Sequence, residues 1–260
     1  MHITDLRQIH DVYDRIYLSP HLDDAALSCG GAIAAAASDG ARVLVVTLCT
    51  AIPPASGPFS ALAQEFHGQW ALPPEAVVTA RLAEDERAMM LLGVDWYWAG
   101  LQDAIYRMPE RYTSRDTLFA TPAAGDPLYA AARRLLAALH DRAPRARFYA
   151  PLGIGSHVDH LITFDVARAA DLPAPVAFYE DVPYALAPEK VERRASQLPE
   201  RRVPQVVPIA ATLPRKLDAV AAYASQLAEL FGGEAAMRTR LTAYAEGILP
   251  GGGERLWLCG

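Results

Sequence analysis

The sequence predicts an α/β fold, a Rossmann-like three-layer sandwich with a mostly parallel central sheet. Three observations predict it. Residues 15–48 spell strand, helix, strand, one βαβ unit for which a right-handed crossover is expected. The run at 42–48 is continuously apolar and β-branched, the pattern of a central parallel strand. Beyond it, strand-like runs alternate with helical segments to the end of the 260-residue chain, which implies a layered α/β architecture.

Taken in order, Arg15-Ile16-Tyr17-Leu18-Ser19 reads as a short buried strand that Pro20 ends. The Ala-rich stretch 24–38 reads as a helix with Gly30 and Gly31 in its middle. Glycine is costly inside a helix, by about 1 kcal/mol relative to alanine. The pair therefore points to close packing on a sheet or close approach to a ligand, and Gly40 serves as the helix stop. Residues 50–75 hold five prolines and read as one long irregular loop, as do residues 103–125. Loops of that length in compact domains are often functional. Residues 76–92 read as a helix closed by Gly93, and residues 95–98 as a strand. The next helix spans 126–141, with Asp126 as cap and Pro127 in the first turn. Strands are expected at 147–150, 176–179, 206–209 and 254–259, and helices at 158–170, 214–231 and 234–246. No repeat, linker or boundary divides the chain, so residues 1–260 read as one domain.

Composition narrows the function classes. The chain is 52 % apolar and 21 % charged, near the soluble globular average, and long enough to bury a core without disulfides. A net charge of −6 and the lack of a basic face argue against nucleic-acid binding. Cys29, Cys49 and Cys259 are odd in number and far apart, so no disulfide framework or CxxC site can be read. Cys29 and Cys49 read as buried small hydrophobes. With no secretory signal pattern and no apolar run of membrane-spanning length, a cytoplasmic location and no transmembrane segment are expected.

Two segments carry chemistry, each just after a predicted strand. In open parallel sheets, that carboxyl edge is where ligands bind. Ser19-Pro20-His21-Leu22-Asp23-Asp24 offers an imidazole and two adjacent carboxylates at a strand-to-helix turn. Gly153-Ile154-Gly155-Ser156-His157-Val158-Asp159-His160 offers two more imidazoles and a carboxylate. His and Asp are ordinary zinc ligands, and two His with one Asp around an open zinc would bring the pKa of bound water toward about 7. A tight turn could aim His21 and Asp24 at one ion, leaving Asp23 free to take a proton. The plainer alternative is that Asp23 and Asp24 cap the following helix.

Pro20-His21-Leu22-Asp23-Asp24, Gly30-Gly31 and His157-Val158-Asp159-His160 resemble the PIG-L / LmbE-type de-N-acetylases. The resemblance extends through Arg81-Leu82-Ala83-Glu84-Asp85, Leu92-Gly93, Asp103, Tyr179-Glu180-Asp181 and Tyr223-Ala224-Ser225-Gln226. It implies a zinc-dependent hydrolase that removes an N-acetyl or related N-acyl group from an amino-sugar-containing substrate. By similarity, His21, Asp24 and His160 are the metal ligands and Asp23 the general base. His157 stabilises the oxyanion or protonates the leaving amine, and Asp159 holds His157 by a hydrogen bond. Arg81, Asp103 and Glu180 are expected at the substrate. The cofactor implied is Zn2+, although a His2Asp site also suits Fe(II), Co(II) or Ni(II). The partner implied is a small molecule or glycoconjugate bearing an N-acyl amine.

Many members of that family have Pro where this chain has Leu22, and Glu where it has Ala25; neither position is an expected ligand. Arg81 has a plainer reading as an exposed helix residue paired at i,i+4 with Asp85. Phe66, His67 and Trp70 could stack on a sugar or form a satellite core under the loop, while Tyr223, Leu227 and Leu230 read as core. A non-catalytic sugar- or metal-binding module on the same fold is the alternative, and an intact Asp23 argues against it. A dinucleotide-binding enzyme would need G-x-G-x-x-G at the first turn, where this chain carries His-Leu-Asp-Asp.

Overall fold

The fold is seen in a computed structural model that describes residues 1–53, 56–70 and 74–259, with the side chains of 69, 70, 74 and 75 outside the description. In chain order its elements are β1 (His2–Ile3), β2 (Arg15–Ser19), α1 (Asp24–Ser38), β3 (Val43–Cys49), α2 (Ala61–Trp70), α3 (Pro74–Leu92), β4 (Asp95–Leu101), α4 (Ala104–Arg107), α5 (Arg115–Leu118) and α6 (Pro127–Arg142). Then come β5 (Arg147–Pro151), α7 (Val158–Arg168), β6 (Ala177–Tyr179), α8 (Pro188–Gln197), β7 (Arg202–Pro208), α9 (Leu213–Ala221), α10 (Ala224–Phe231), α11 (Glu234–Ile248) and β8 (Gly253–Cys259).

The strands form one eight-stranded sheet in the order β1-β4-β3-β2-β5-β6-β8-β7. Pairings from β1 to β6 are parallel, and only β8 runs against its neighbours. The expected α/β class with a mostly parallel sheet is therefore what the chain adopts. All of β3 is buried, the signature of a strand covered on both faces. From β2 the chain crosses through α1 to β3 on one side, and β5 pairs with β2 on the other. The strand order thus reverses beside β2, and a crevice opens where the connections leave β2 and β5 in opposite directions.

The glycines of α1 serve packing. A Cβ on Gly31 would come within 2.7 Å of Ile209, just ahead of α9. The helix breaks at Cys29 (φ −138°, ψ 22°). Past the break, the Glu254 carboxylate accepts the amides of Gly31 and Ala32 and pairs with buried Lys216 at 2.6 Å.

Several boundaries differ from expectation. The stretch 50–75 contains α2, whose apolar side (Leu62, Ala63, Phe66) packs on Ile105, Tyr112 and Leu118, so local patterning prevails over the flanking prolines. The second loop contains α4 and α5, each started by a side-chain cap, Asp103 and Ser114. The helix expected at 214–231 is broken between Ala221 and Ala224. Tyr223 and Leu227 are buried there and Leu230 partly so, as their spacing implied. Asp126 and Pro127 start α6 as expected.

Candidate metal centre

The segments leaving β2, β4, β5 and β6 bring their polar side chains to one place at the carboxyl edge of the sheet. The turn after β2 and the start of α1 supply His21, Asp23 and Asp24; the coil after β4 supplies Asp103; His157, at the cap of α7, and Asp159 and His160 in its first turn follow β5; and the segment after β6 supplies Asp181 and Tyr184. Backbone shape aims them. Ser19 Oγ donates to the His21 carbonyl at 2.6 Å and accepts the Ala25 amide at 3.1 Å, closing the first turn. Gly153 (φ +84°), Gly155 (φ +87°) and Ser156 (φ +66°) coil the second in left-handed conformations. A Cβ at Gly155 would collide with the Tyr184 ring.

Asp24 is the hub. Its Oδ2 lies 3.2 Å from His21 Nδ1 and 3.2 Å from His160 Nε2, and it also accepts the His21 amide at 2.8 Å. Ligands at 2.0–2.1 Å around a tetrahedral ion stand about 3.3 Å apart. The two spacings from Asp24 Oδ2 are therefore those of two edges of such a site. Each imidazole is held from its far nitrogen. Asp181 Oδ1 meets His160 Nδ1 at 2.7 Å, while its Oδ2 accepts the amides of Gly153 and Ile154 at 2.8 Å. His21 Nε2 lies 3.2 Å from Asp159 Oδ2 and 3.3 Å from Asp103 Oδ2. Carboxylates behind ligating imidazoles fix the ring and raise its basicity. Donor chemistry, spacing and this backing all fit a divalent transition metal.

Electrostatics follow from burial and from these carboxylates. Burial alone would depress both rings, but Asp103, Asp159 and Asp24 hold His21 well above its ordinary value. Asp24 and Asp181 likewise hold His160 up, at about 9. Asp24 is held well below the carboxylate range by His160 and His21 despite its burial. Asp23 is pushed upward, chiefly by burial, against the pull of Arg81. His157 falls to about 3 through burial and the charge on His21. Its Nδ1 accepts the Asp159 amide at 3.2 Å, so the neutral ring carries its proton on Nε2.

The three imidazoles have ring nitrogens within 4.8 Å of one another, and His21, Cys49 and Asp159 form a second such group on the far side of the His21 ring. All of the expected site residues except Asp159 and Glu180 line one cavity of ≈ 360 Å³. Arg81 is among them, but its partner is Asp23 Oδ1 at 3.3 Å and not Asp85, which accepts from Trp98 and Tyr223. Asp23 makes no side-chain bond to the amides of α1, so the capping alternative fails for it.

Two expectations need correction. Asp159 does not hold His157 through its carboxylate; only its backbone amide reaches that ring. The carboxylate turns under the sheet edge to His21 and to Arg107 Nη2, 2.6 Å away. Glu180 is no pocket residue. It is buried on the opposite side, where Tyr244, Arg255 and Trp257 Nε1 (2.9 Å) donate to it. Successive residues leaving a strand point to opposite faces, so Asp181 faces the site and Glu180 cannot. Arg107 was not anticipated. Buried, it grips Asp126 through Nε (2.7 Å) and Nη2 (2.9 Å) as well as Asp159. Its signal was the caps of α4 and α6, Asp103 and Asp126, which bracket it. Phe66 lines the cavity and also packs in the satellite core with Phe59 and Tyr106. Trp70 has its side chain outside the described residues.

Such a crevice, with a His2Asp cradle and a third imidazole facing it, forms a candidate metal centre of hydrolase type on a Rossmann-like sheet. The chain belongs to the PIG-L family: the model of that family, described as GlcNAc-PI de-N-acetylase, matches residues 16–170. It is similar to 2'-N-acetylparomamine deacetylase of Streptomyces fradiae, 32 % identical over 180 residues, which cover 65 % of this chain but only 57 % of that relative. In structure it resembles a deacetylase of the teicoplanin biosynthesis pathway (TM-score 0.80, 32 % identity, 94 % of this chain and 96 % of that one). It also resembles the zinc-inhibited form of teicoplanin deacetylase (TM-score 0.76, 31 % identity, 94 % and 96 %).

Proposed function

We propose that this chain, acting as one unit over residues 1–260, is a metal-dependent N-deacetylase of a small amino-sugar-containing substrate, with zinc as the resident ion. The observation that carries the reading is Asp24 Oδ2, equidistant at 3.2 Å from two imidazole nitrogens that are each backed by a carboxylate. His21 through Nδ1, Asp24 through Oδ2 and His160 through Nε2 hold the ion, which when bound acidifies a water and polarises the amide carbonyl.

The chain's own groups do the rest. Asp23, oriented by Arg81 and made more basic by burial, takes the proton of the attacking water. The water oxygen adds to the acyl carbon, and His157 Nε2–H donates to the oxygen that gains charge. The C–N bond then breaks, and the proton held by Asp23 goes to the departing amine, giving a free amine and a carboxylic acid. Tyr184 and Phe119 wall the cavity beside His157. Three unpaired cysteines support a cytoplasmic setting. No helix among the described residues is long and apolar enough to cross a membrane.

The test is release of free amine from a panel of N-acetylated amino sugars, glycopeptides and aminoglycosides, with zinc-loaded and chelator-stripped protein. Metal-dependent release from any member is expected. No release from the panel by fully loaded protein would favour the binding-module alternative.

A further inference from the structure

Two segments of the sequence meet behind the metal centre: Glu84 and Asp85 on α3, and Tyr223 and Ser225 at the start of α10. Glu84 accepts the Ser225 amide at 2.9 Å and the Ser225 hydroxyl at 2.7 Å, which docks α3 on α10. Asp85 is buried between Trp98 of β4 and Tyr223. Trp98 Nε1 donates to its Oδ2 at 2.6 Å, and its Oδ1 stands 2.7 Å from the Tyr223 hydroxyl. That hydroxyl also lies 2.8 Å from the carbonyl oxygen of Leu22, in the turn that carries His21, Asp23 and Asp24.

The Tyr223 hydroxyl has one proton and two oxygens within reach of it. The Leu22 carbonyl can only accept, so the phenol proton goes there. The Tyr223 oxygen then faces Asp85 Oδ1 lone pair to lone pair unless a proton lies between them, and in this buried place the carboxyl is the group that can bring it. Charge points the same way. The ionic groups that act on Asp85 are Asp23 and Arg81, and Arg81 Nη2 is already engaged with Asp23 at 3.3 Å. Glu84 is turned to Ser225, and Lys216 of α9, which packs on α3, is taken by Glu254 at 2.6 Å. A charged Asp85 would thus be buried without a cation, which is costly. Burial, aided by the charge on Asp23, raises its carboxyl to about 7 against the pull of Trp98 and Tyr223. Resting on the metal-centre reading, we infer that Asp85 is an uncharged carboxylic acid and a positioning residue: its proton binds the Tyr223 oxygen, and the Tyr223 proton binds the Leu22 carbonyl, which fastens the metal turn to α3 and α10.

The test needs no substrate. Asparagine copies the protonated acid: its oxygen accepts from Trp98 and its NH2 group donates to Tyr223. Asp85→Asn is therefore expected to melt no lower than the parent at neutral pH. Below pH 3.8 the carboxyl is protonated in both the folded and the unfolded chain. Between 3.8 and about 7 it ionises only in the unfolded chain, so the parent loses stability relative to the variant as pH rises, and above about 7 the gap is constant. The infrared spectrum of the parent in mildly acidic buffer should also carry the carbonyl band of an un-ionised carboxylic acid that Asp85→Asn lacks. Metal affinity by chelator competition reads the positioning. Asp85→Asn is expected within about three-fold of the parent, and Tyr223→Phe, which cuts the chain of bonds in its middle, at least about ten-fold weaker. If Asp85→Asn melts at least about 2 °C lower at every pH and the parent shows no such band, Tyr223 gives its proton to an ionised Asp85 and the inference is overturned. Parent-like affinity in Tyr223→Phe overturns the positioning role. A parent that takes up no metal refutes the metal reading itself, while the melts and the infrared band still decide the state of Asp85.

Discussion

Asp181→Asn probes the backing of the metal centre, because one carboxylate there does two jobs with two oxygens. Oδ1 meets His160 Nδ1 at 2.7 Å, and Oδ2 accepts the amides of Gly153 and Ile154, both at 2.8 Å. Asparagine has the same shape but only one acceptor. If its oxygen stays with His160, its NH2 group confronts two backbone N–H donors in a buried site, at a cost of about 1–3 kcal/mol in stability. If it turns over, NH2 faces Nδ1 and drives the His160 proton to Nε2, the nitrogen needed for the ion. Loss of such a partner typically weakens metal binding by about 10–100-fold, or about 1.4–2.7 kcal/mol. The assay is metal affinity by chelator competition at fixed pH, alongside thermal melts of the metal-free forms. The variant is expected to bind at least about ten-fold more weakly and to melt earlier. Affinity within about three-fold of the parent, with the melt unchanged, would refute the claim that Asp181 prepares His160.

Asp23→Asn is expected to lower kcat on any turned-over substrate by about 10²–10⁴-fold while leaving metal content at the parent level, checked by steady-state kinetics and elemental analysis. Arg107→Ala leaves the buried carboxylates of Asp126 and Asp159 without their cation, and chemical denaturation should show a loss of about 3–5 kcal/mol. For pH the sign is set by His160, raised to about 9 in the metal-free protein against 6.5 when unfolded. Its contribution to metal-free stability is fully present below pH 6.5 and is lost as pH rises through 9, so melts of the stripped protein should fall across that window. The ion needs the neutral ring, so loading at pH 7.5 should release about one to two protons from His160 and His21, read as buffer-dependent heat in calorimetry.

Much of this was legible because it is local. The βαβ unit at 15–48 announced itself by β-branching and by the turn at Pro20, and the two His/Asp clusters fell at strand ends, where open α/β sheets keep their sites. What escaped depends on pairings across long stretches of chain. The family resemblance ties the Asp159 carboxylate to His157, two residues before it, yet that carboxylate answers to Arg107, 52 residues away, and to His21, 138 residues away. Glu180 and Asp181 are neighbours in the chain, and only the direction of β6 decides which of them faces the site. Gly30 and Gly31 hinted at a close approach, but the approaching group is Ile209, and the break at Cys29 is capped by Glu254 from the last strand. No local signal links such distant residues.

The central claim is that His21, Asp24 and His160 hold a metal ion at the reversal point of the sheet. It is tested most directly by elemental mass spectrometry of the parent and of a His21→Ala/Asp24→Ala double variant, both prepared without added metal. About one transition-metal ion per chain in the parent and none in the variant is the result predicted for one open site with three protein ligands. Equal metal content in the two proteins would contradict it.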